Sequence, residues 1–365
     1  MVEEKSSSLK QNLLYMVLFL MFLYLFLLSI LMMGSAFKYF GGGFAETLLA
    51  TTSNPFNGLF IGLLSTALVQ SSSMTTSLVV GLVASGGIQM HNAIPIVMGA
   101  NMGTTITNII VSLGHIGRRD EFRRAFGASV VHDVFNVLVV LILFPLQYFT
   151  GFLGHVAVFF EEILIDMGGA TFSSPLKAIT SPVVSLIAEL LGKRPWAILA
   201  LSAVLLFIGL RYMVKYMKAL IMDKAEVIFE QTIFKTPYHG LTFGILLTAL
   251  VQSSSVTTSL IVPLAGAGMV SIARVFPYTM GANIGTTVTA LMASLATGNP
   301  SALAVAMSHL MFNVFGILIF WWIPFVPIRL SEKIATFAAR NRSYALLSIV
   351  IFFFALPLLI IYLMR

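Results

Sequence analysis

Cysteine is missing from this chain of 365 residues, which excludes disulfides and thiolate-held metals while leaving the compartment open. Charge is the next scarcity. Asp, Glu, Lys and Arg make up 10% of the residues, against roughly 25% in soluble domains, and 58% are apolar. With a mean hydropathy of +0.96, a water-soluble domain is excluded and an all-α polytopic membrane protein is expected, with the lipid bilayer as its solvent. A cleavable leader is not expected either. The first apolar run, Asn12 to Met33, exceeds a signal-peptide core, lacks a clear small-residue cleavage site after it, and suffices for a bilayer core of roughly 30 Å. The formal charge of +7 is gathered in short loops, which reads as a topology signal rather than a nucleic-acid surface.

What the chain does have is one polar block, written twice. Thr66-Ala67-Leu68-Val69-Gln70-Ser71-Ser72-Ser73-Met74-Thr75-Thr76-Ser77-Leu78 returns as Thr248-Ala249-Leu250-Val251-Gln252-Ser253-Ser254-Ser255-Val256-Thr257-Thr258-Ser259-Leu260. A single hydroxyl in a membrane helix is cheap, because it bonds back to a carbonyl one turn earlier. A carboxamide with a run of hydroxyls is costly against lipid and should face protein, water or a ligand. The similarity extends beyond the block. At the same offset Pro55-Phe56-Asn57-Gly58 meets Pro237-Tyr238-His239-Gly240, Pro95 meets Pro277, and Gly99-Ala100-Asn101 meets Gly281-Ala282-Asn283. Gly103-Thr104-Thr105 meets Gly285-Thr286-Thr287, and, after a short shift, His132-Asp133-Val134-Phe135-Asn136 meets His309-Leu310-Met311-Phe312-Asn313. Because the shared letters are the uncommon polar ones, two copies of one unit explain them better than chance likeness of apolar sequence.

Taken in order, residues 1–43 form an N-terminal transmembrane helix with a Gly41-Gly42-Gly43 connector, and 44–150 the first repeat. Residues 151–194 are expected to be an outer surface loop with short interfacial helices. Residues 195–235 hold a transmembrane helix and a Lys-rich inner linker, 236–328 the second repeat, and 329–365 an inner segment followed by a transmembrane helix. Within each repeat the apolar piece before the Gln is about 13 residues, roughly 20 Å of helix, too short to cross alone. Two half-helices around a polar tip read as a re-entrant hairpin or broken helix. The Gly-Ala-Asn-x-Gly-Thr-Thr segments read as second interruptions, and Arg118 to Arg124 as a charged loop before a helix over about 125–148. With the N-terminus inside, every basic loop falls on the inner face, and the two copies then enter from opposite faces. Inverted repeats with interrupted helices are the architecture of secondary transporters, with the site near the midplane.

Neither block contains a carboxylate, so a divalent cation is disfavoured; hydroxyl and carbonyl oxygens suit sodium. An anion needs donors, and half-helix N-termini after Ser73 and after Ser255 would supply amides at the positive dipole end. Phosphate fits six serines, Ser71, Ser72, Ser73, Ser253, Ser254 and Ser255, joined by Thr75 and Gln252, with sodium offsetting its charge. Unwound carbonyls and hydroxyls at Asn101, Thr104, Thr105, Asn283, Thr286 and Thr287 are expected to form sodium sites; alternatively the motif only lets helices pack closely.

These features resemble the type II sodium-dependent phosphate cotransporters. The resemblance rests on the two Gln-Ser-Ser-Ser blocks, the two Gly-Ala-Asn-x-Gly-Thr motifs, and Phe122-Arg123-Arg124-Ala125-Phe126 with Val131-His132-Asp133 and Phe135-Asn136, over about residues 50–150 and 235–325. It implies sodium-coupled uptake of inorganic phosphate by alternating access, no enzymatic activity and no organic cofactor. It also implies sodium ligation by Gln70, Thr76, Thr257 and Thr258 beside those above. The short outer loop, without Cys or a glycosylation acceptor, points to a compact bacterial form in the inner membrane. Oligomeric state is left open, a homodimer among the options. Another oxyanion or a carboxylate is the alternative cargo. An intramembrane serine hydrolase would need one activated Ser–His pair rather than two symmetric triplets, and a passive anion channel would not need hairpins. His132, Asp133 and His309 read as a buried structural network, Arg123 and Arg124 as topology anchors. Gly58, Gly62, Gly240 and Gly244 read as helix-contact surfaces, and Phe352-Phe353-Phe354 as lipid-facing or core residues.

Overall fold

In a bilayer the backbone must satisfy its own hydrogen bonds, and among the described residues the chain does so with helices and no strand. The structure, a computed structural model, describes residues 9–40, 52–168, 175–228 and 233–364; the Gly41-Gly42-Gly43 connector lies outside these. The elements are α1 (Leu9–Phe40), α2 (Pro55–Val69), α3 (Ser72–Ala84), α4 (Met90–Gly103) and α5 (Ile106–Ser112). Then come α6 (Arg119–Thr150), α7 (Phe152–Gly168), α8 (Pro175–Leu190), α9 (Pro195–Ile228), α10 (Pro237–Val251), α11 (Ser254–Ser259) and α12 (Ile261–Gly266). The chain finishes with α13 (Ile272–Thr297), α14 (Pro300–Phe320), α15 (Phe325–Arg340), α16 (Arg342–Val350) and α17 (Leu356–Leu363). Among the described residues six stretches are long and apolar enough to cross: Lys10–Met33, Met90–His115, Arg119–Thr150, Pro195–Met213, Pro300–Phe320 and Ser343–Leu363. The protein is a multi-pass membrane protein.

Both repeats build the same packed pair. Pro55 and Pro237 open α2 and α10, where a missing N–H costs nothing, and Asn54 and Thr236 cap them. Helix α2 then lies on α4, and α10 on α13, at backbone distance. A Cβ on Gly62 would fall 1.9 Å from the Ile96 carbonyl, and one on Gly99 would fall 1.8 Å from that of Leu59. In the second repeat Gly244 meets Tyr278 and Gly281 meets Leu241 in the same way, at 2.3 and 2.1 Å. Around these pairs, α6 and α14 pass through the centre with Phe126, Phe135 and Phe312 fully enclosed. Helix α1 stacks on α9 through Phe22 and Tyr212, and α15 lies across α6.

Two side chains fix the direction of each repeat. Asn299, in the turn before α14, donates from Nδ2 to the Ala84 carbonyl at the end of α3 (3.2 Å). Arg124, at the start of α6, donates from Nε to the Gly266 carbonyl at the end of α12 (2.9 Å). Met90–His115 therefore starts at the Asn299 end and finishes at the Arg124 end. Ile272–Thr297 starts at the Arg124 end and finishes at the Asn299 end, so the two equivalent helices run in opposite directions.

Several expected boundaries move. The stretch from Arg119 is not a loop but the first turns of α6, because Asp120 and Glu121 complement the helix N-terminus. Residues 151–194 are not mainly loop: α7 packs on α14, and α8 packs on α1. The inner linker is helical as far as Ile228. The interruption expected at Gly281 to Thr287 does not occur, since α13 is continuous over 26 residues. In the first repeat the helix yields only at Thr104 and Thr105, which keep right-handed helical dihedrals.

Candidate functional site

The tips arise from local backbone chemistry. Gln70 ends α2 by taking a left-handed conformation (φ 57°, ψ 30°), and Gln252 ends α10 likewise (φ 61°, ψ 23°). The next residue in each copy is extended, and its hydroxyl caps the following helix: Ser71 accepts from the Met74 N–H at 3.2 Å and Ser253 from the Val256 N–H at 3.3 Å. The second helices thus begin at Ser72 and Ser254, earlier than expected from the sequence. The amides of Ser72, Ser73, Ser254 and Ser255 then stand in the first turn, outside the intrahelical ladder. These four serines are buried, and Ser71 and Ser253 are half-buried.

The two tips meet. The Ser73 hydroxyl donates to the Gln252 carbonyl at 3.4 Å, across 179 positions of sequence. From the second tip, Thr258 Oγ1 donates to Asn108 Oδ1 of α5 at 3.0 Å. Thr76 and Thr258 also bond back to the Ser72 and Ser254 carbonyls at 2.8 and 2.6 Å, while Thr75 and Thr257 reach those of Ser71 and Ser253 at 3.2 Å each. Each of these hydroxyls keeps lone pairs on its oxygen.

The Gly-Ala-Asn motifs act differently from the expected unwound carbonyl sites. Asn283 accepts from His132 Nε2 at 2.5 Å and donates to Asn136 Oδ1 at 2.7 Å; both partners belong to the first repeat. Asn101 accepts from His309 Nε2 at 3.2 Å, in the second repeat, and its carbonyl accepts from Asn136 Nδ2 at 2.7 Å. Each motif asparagine is therefore held by the other repeat's His-x-x-x-Asn helix. These five side chains, with Asn313, are enclosed, and their bonds cross the centre of the bundle. Thr286 and Thr287 bond their own helix at the Ala282 and Ile284 carbonyls. Thr105 bonds Met102 and also donates to Asp133 Oδ1 at 2.8 Å, the contact that brings a carboxylate to the site's edge.

The copies differ in how their hydroxyls are satisfied. In the second repeat Thr248 bonds Thr257 (2.7 Å), Ser259 bonds the Val256 carbonyl, Thr286 that of Ala282, and Thr289 the Gln252 carboxamide oxygen at 2.7 Å. The Gln252 amide donates to the Ala249 carbonyl. Their counterparts in the first repeat, Thr66, Ser77, Thr104 and Thr107, present buried oxygens without a hydrogen-bond partner, and Gln70 is exposed where Gln252 is buried. Buried polar atoms are rarely left in this state unless an ion, water or ligand completes them. Sequence reading missed Thr107, Thr289 and Asn108. The Thr107/Thr289 pair was detectable because it recurs at the repeat offset; Asn108 was not, since Ala290 stands at its counterpart.

The oxygens gathered at the tips come from hydroxyls, carboxamides and backbone carbonyls, with the Asp133 carboxylate at their edge through Thr105. Such a set, with free amides beside it, can hold a monovalent cation and an oxyanion together. The chain is 34% identical to the sodium-dependent phosphate transport protein 2A of Rattus norvegicus, over 98% of this chain and 69% of that protein. It is 35% identical to the Ovis aries 2A protein, over 95% and 67%, and 34% identical to the Homo sapiens 2B protein, over 94% and 64%. No solved structure matches it. The Na+/Pi-cotransporter family profile matches residues 25–169 and 205–360, and the chain belongs to that family.

Proposed function

We propose that this protein is a secondary transporter that couples sodium entry to the uptake of inorganic phosphate by alternating access. Substrate and ions bind between two inverted repeats, midway through the membrane. The observation that carries this reading is the meeting of the tips at Ser73 and Gln252. It brings two serine-capped N-termini to one point, where four free amides and six serine hydroxyls can surround a tetrahedral oxyanion. The names of the relatives support phosphate and sodium as cargo. Ser71 to Ser73, Thr75, Gln252 and Ser253 to Ser255 take the phosphate. Sodium is held by oxygens around it: Gln70, Thr76, Asn101, Thr104 and Thr105 from the first repeat, and Thr257, Thr258, Asn283, Thr286 and Thr287 from the second. The unpartnered hydroxyls of the first repeat favour that half for the cation. The basic loops support an N-terminus on the inner face, and the short outer loop supports a bacterial inner membrane.

Radiolabelled phosphate uptake into proteoliposomes tests this. Accumulation should require an inward sodium gradient and be competed by arsenate rather than sulfate or succinate. Ser→Ala changes at 71–73 and at 253–255 should each abolish it. Uptake that ignores sodium, or activity that survives loss of one triplet, would refute a shared site.

A further inference from the structure

Where α6 and α13 begin and α15 crosses them lies a cleft of about 770 Å³, lined by none of the tip residues. Five cations line it, Arg123, Arg124, Arg329, Lys333 and Arg340, against one carboxylate, Glu332. The ion pairs formed among the described residues lie elsewhere, at Glu121 with Arg118 and His115. Arg124 is pinned through Nε to the Gly266 carbonyl, and Arg329 lies over the Phe325 ring at 5.5 Å; neither contact neutralises charge. The N-terminus of α13 also joins the wall at Ser271, which makes no side-chain cap to its helix. The floor is closed. Gly127 admits Ile272 so tightly that a Cβ there would stand 2.6 Å from its Cδ1, with Ala335 at 3.3 Å. Like charges gathered around one cavity repel one another unless an anion occupies it.

Helix α15 indicates which anion. It buries Ser331, Ala335 and Ala338, and turns Leu330, Ile334 and Phe337 outward. Phe337 also lines the cleft. An amphipathic helix of this kind lies in the membrane interface, with basic residues at headgroup level and apolar ones among acyl chains. We infer that the cleft binds the phosphate of an anionic phospholipid headgroup, with the acyl chains running past Leu330, Ile334 and Phe337. This site is separate from the transport site, and its test does not depend on transport.

Binding of short-chain phosphatidylglycerol to the purified full-length chain in neutral detergent is the measurement, with phosphatidylcholine and inorganic phosphate as parallel arms. Phosphatidylglycerol should bind and phosphatidylcholine should not. Arg329→Gln with Lys333→Gln should weaken binding by roughly fivefold for each charge removed. Glu332→Gln should tighten it, a result that a misfolded protein cannot give. Equal binding of both lipids, or affinities unchanged in the variants, would overturn the inference. So would inorganic phosphate showing the variant dependence while the lipid does not, since the cleft would then hold the free ion.

Discussion

Gln70 and Gln252 hold left-handed backbone at φ 57° and 61°, a conformation that costs a residue with a side chain about 1 kcal/mol. Glycine would be the easy choice there, so the carboxamide must be worth the strain. Gln252→Gly and Gln252→Ala separate the two effects. Both should lose phosphate uptake, and in detergent the glycine variant should be the more stable by about 1 kcal/mol. Uptake retained by Gln252→Gly would mean that the position shapes the tip and does not bind. A second prediction concerns the crossed histidines. His132→Ala and Asn283→Ala each leave enclosed polar groups without partners, so their effects on thermal stability should not add. A coupling of about 1 kcal/mol is expected, against an average of roughly 0.6 for interhelical bonds in membranes. Additive losses would mean that the bond contributes nothing in the folded protein.

Among the elements, the glycines separate into two kinds. Gly240 has room for a Cβ 3.5 Å from the nearest atom and Gly58 would need only a slight shift of the Pro95 side chain at 3.3 Å, whereas Gly62 and Gly244 would drive one to 1.9 and 2.3 Å from a backbone carbonyl. Gly58→Ala and Gly240→Ala should therefore give monodisperse protein on size-exclusion chromatography, and Gly62→Ala and Gly244→Ala should not. Equal yields would show that these helix pairs can slide apart without loss. The same glycines explain how far the sequence could be read. The hairpin tips were legible because a half-length apolar run ending in Gln-Ser-Ser-Ser has few other solutions in a membrane. Gly-Ala-Asn looked like a helix break because glycine is a weak helix former, but tertiary packing overrode that preference. Gly99 and Gly281 serve contact with α2 and α10, and α13 stays whole. The crossed asparagine–histidine bonds were beyond the sequence, since both partners were visible but their exchange between repeats is a long-range fact.

For the molecule as a whole, a side-chain hydrogen bond ties the repeats together at each end of the bundle, Asn299 on Ala84 and Arg124 on Gly266. Both hold the far end of a hairpin to the other repeat. The proposed alternating access requires one end to part while the other stays, so on that proposal these contacts should open in turn. The chain has no cysteine, which makes it its own background for cross-linking. Ala84→Cys with Asn299→Cys, joined by a short bifunctional thiol reagent, should lower uptake in proportion to the cross-linked fraction. Thiol-cleavable reagent should allow full recovery on reduction, and each single-cysteine variant should be indifferent to it. If uptake persists when the pair is fully joined, the Asn299 end does not separate during transport. The repeats would then have to move as one body around a fixed hairpin, and the crossed histidine network would be a rigid bolt rather than a hinge. If uptake stops, that network is the element common to both open states. His132, Asn283, Asn101 and His309 then hold the centre while the ends exchange access.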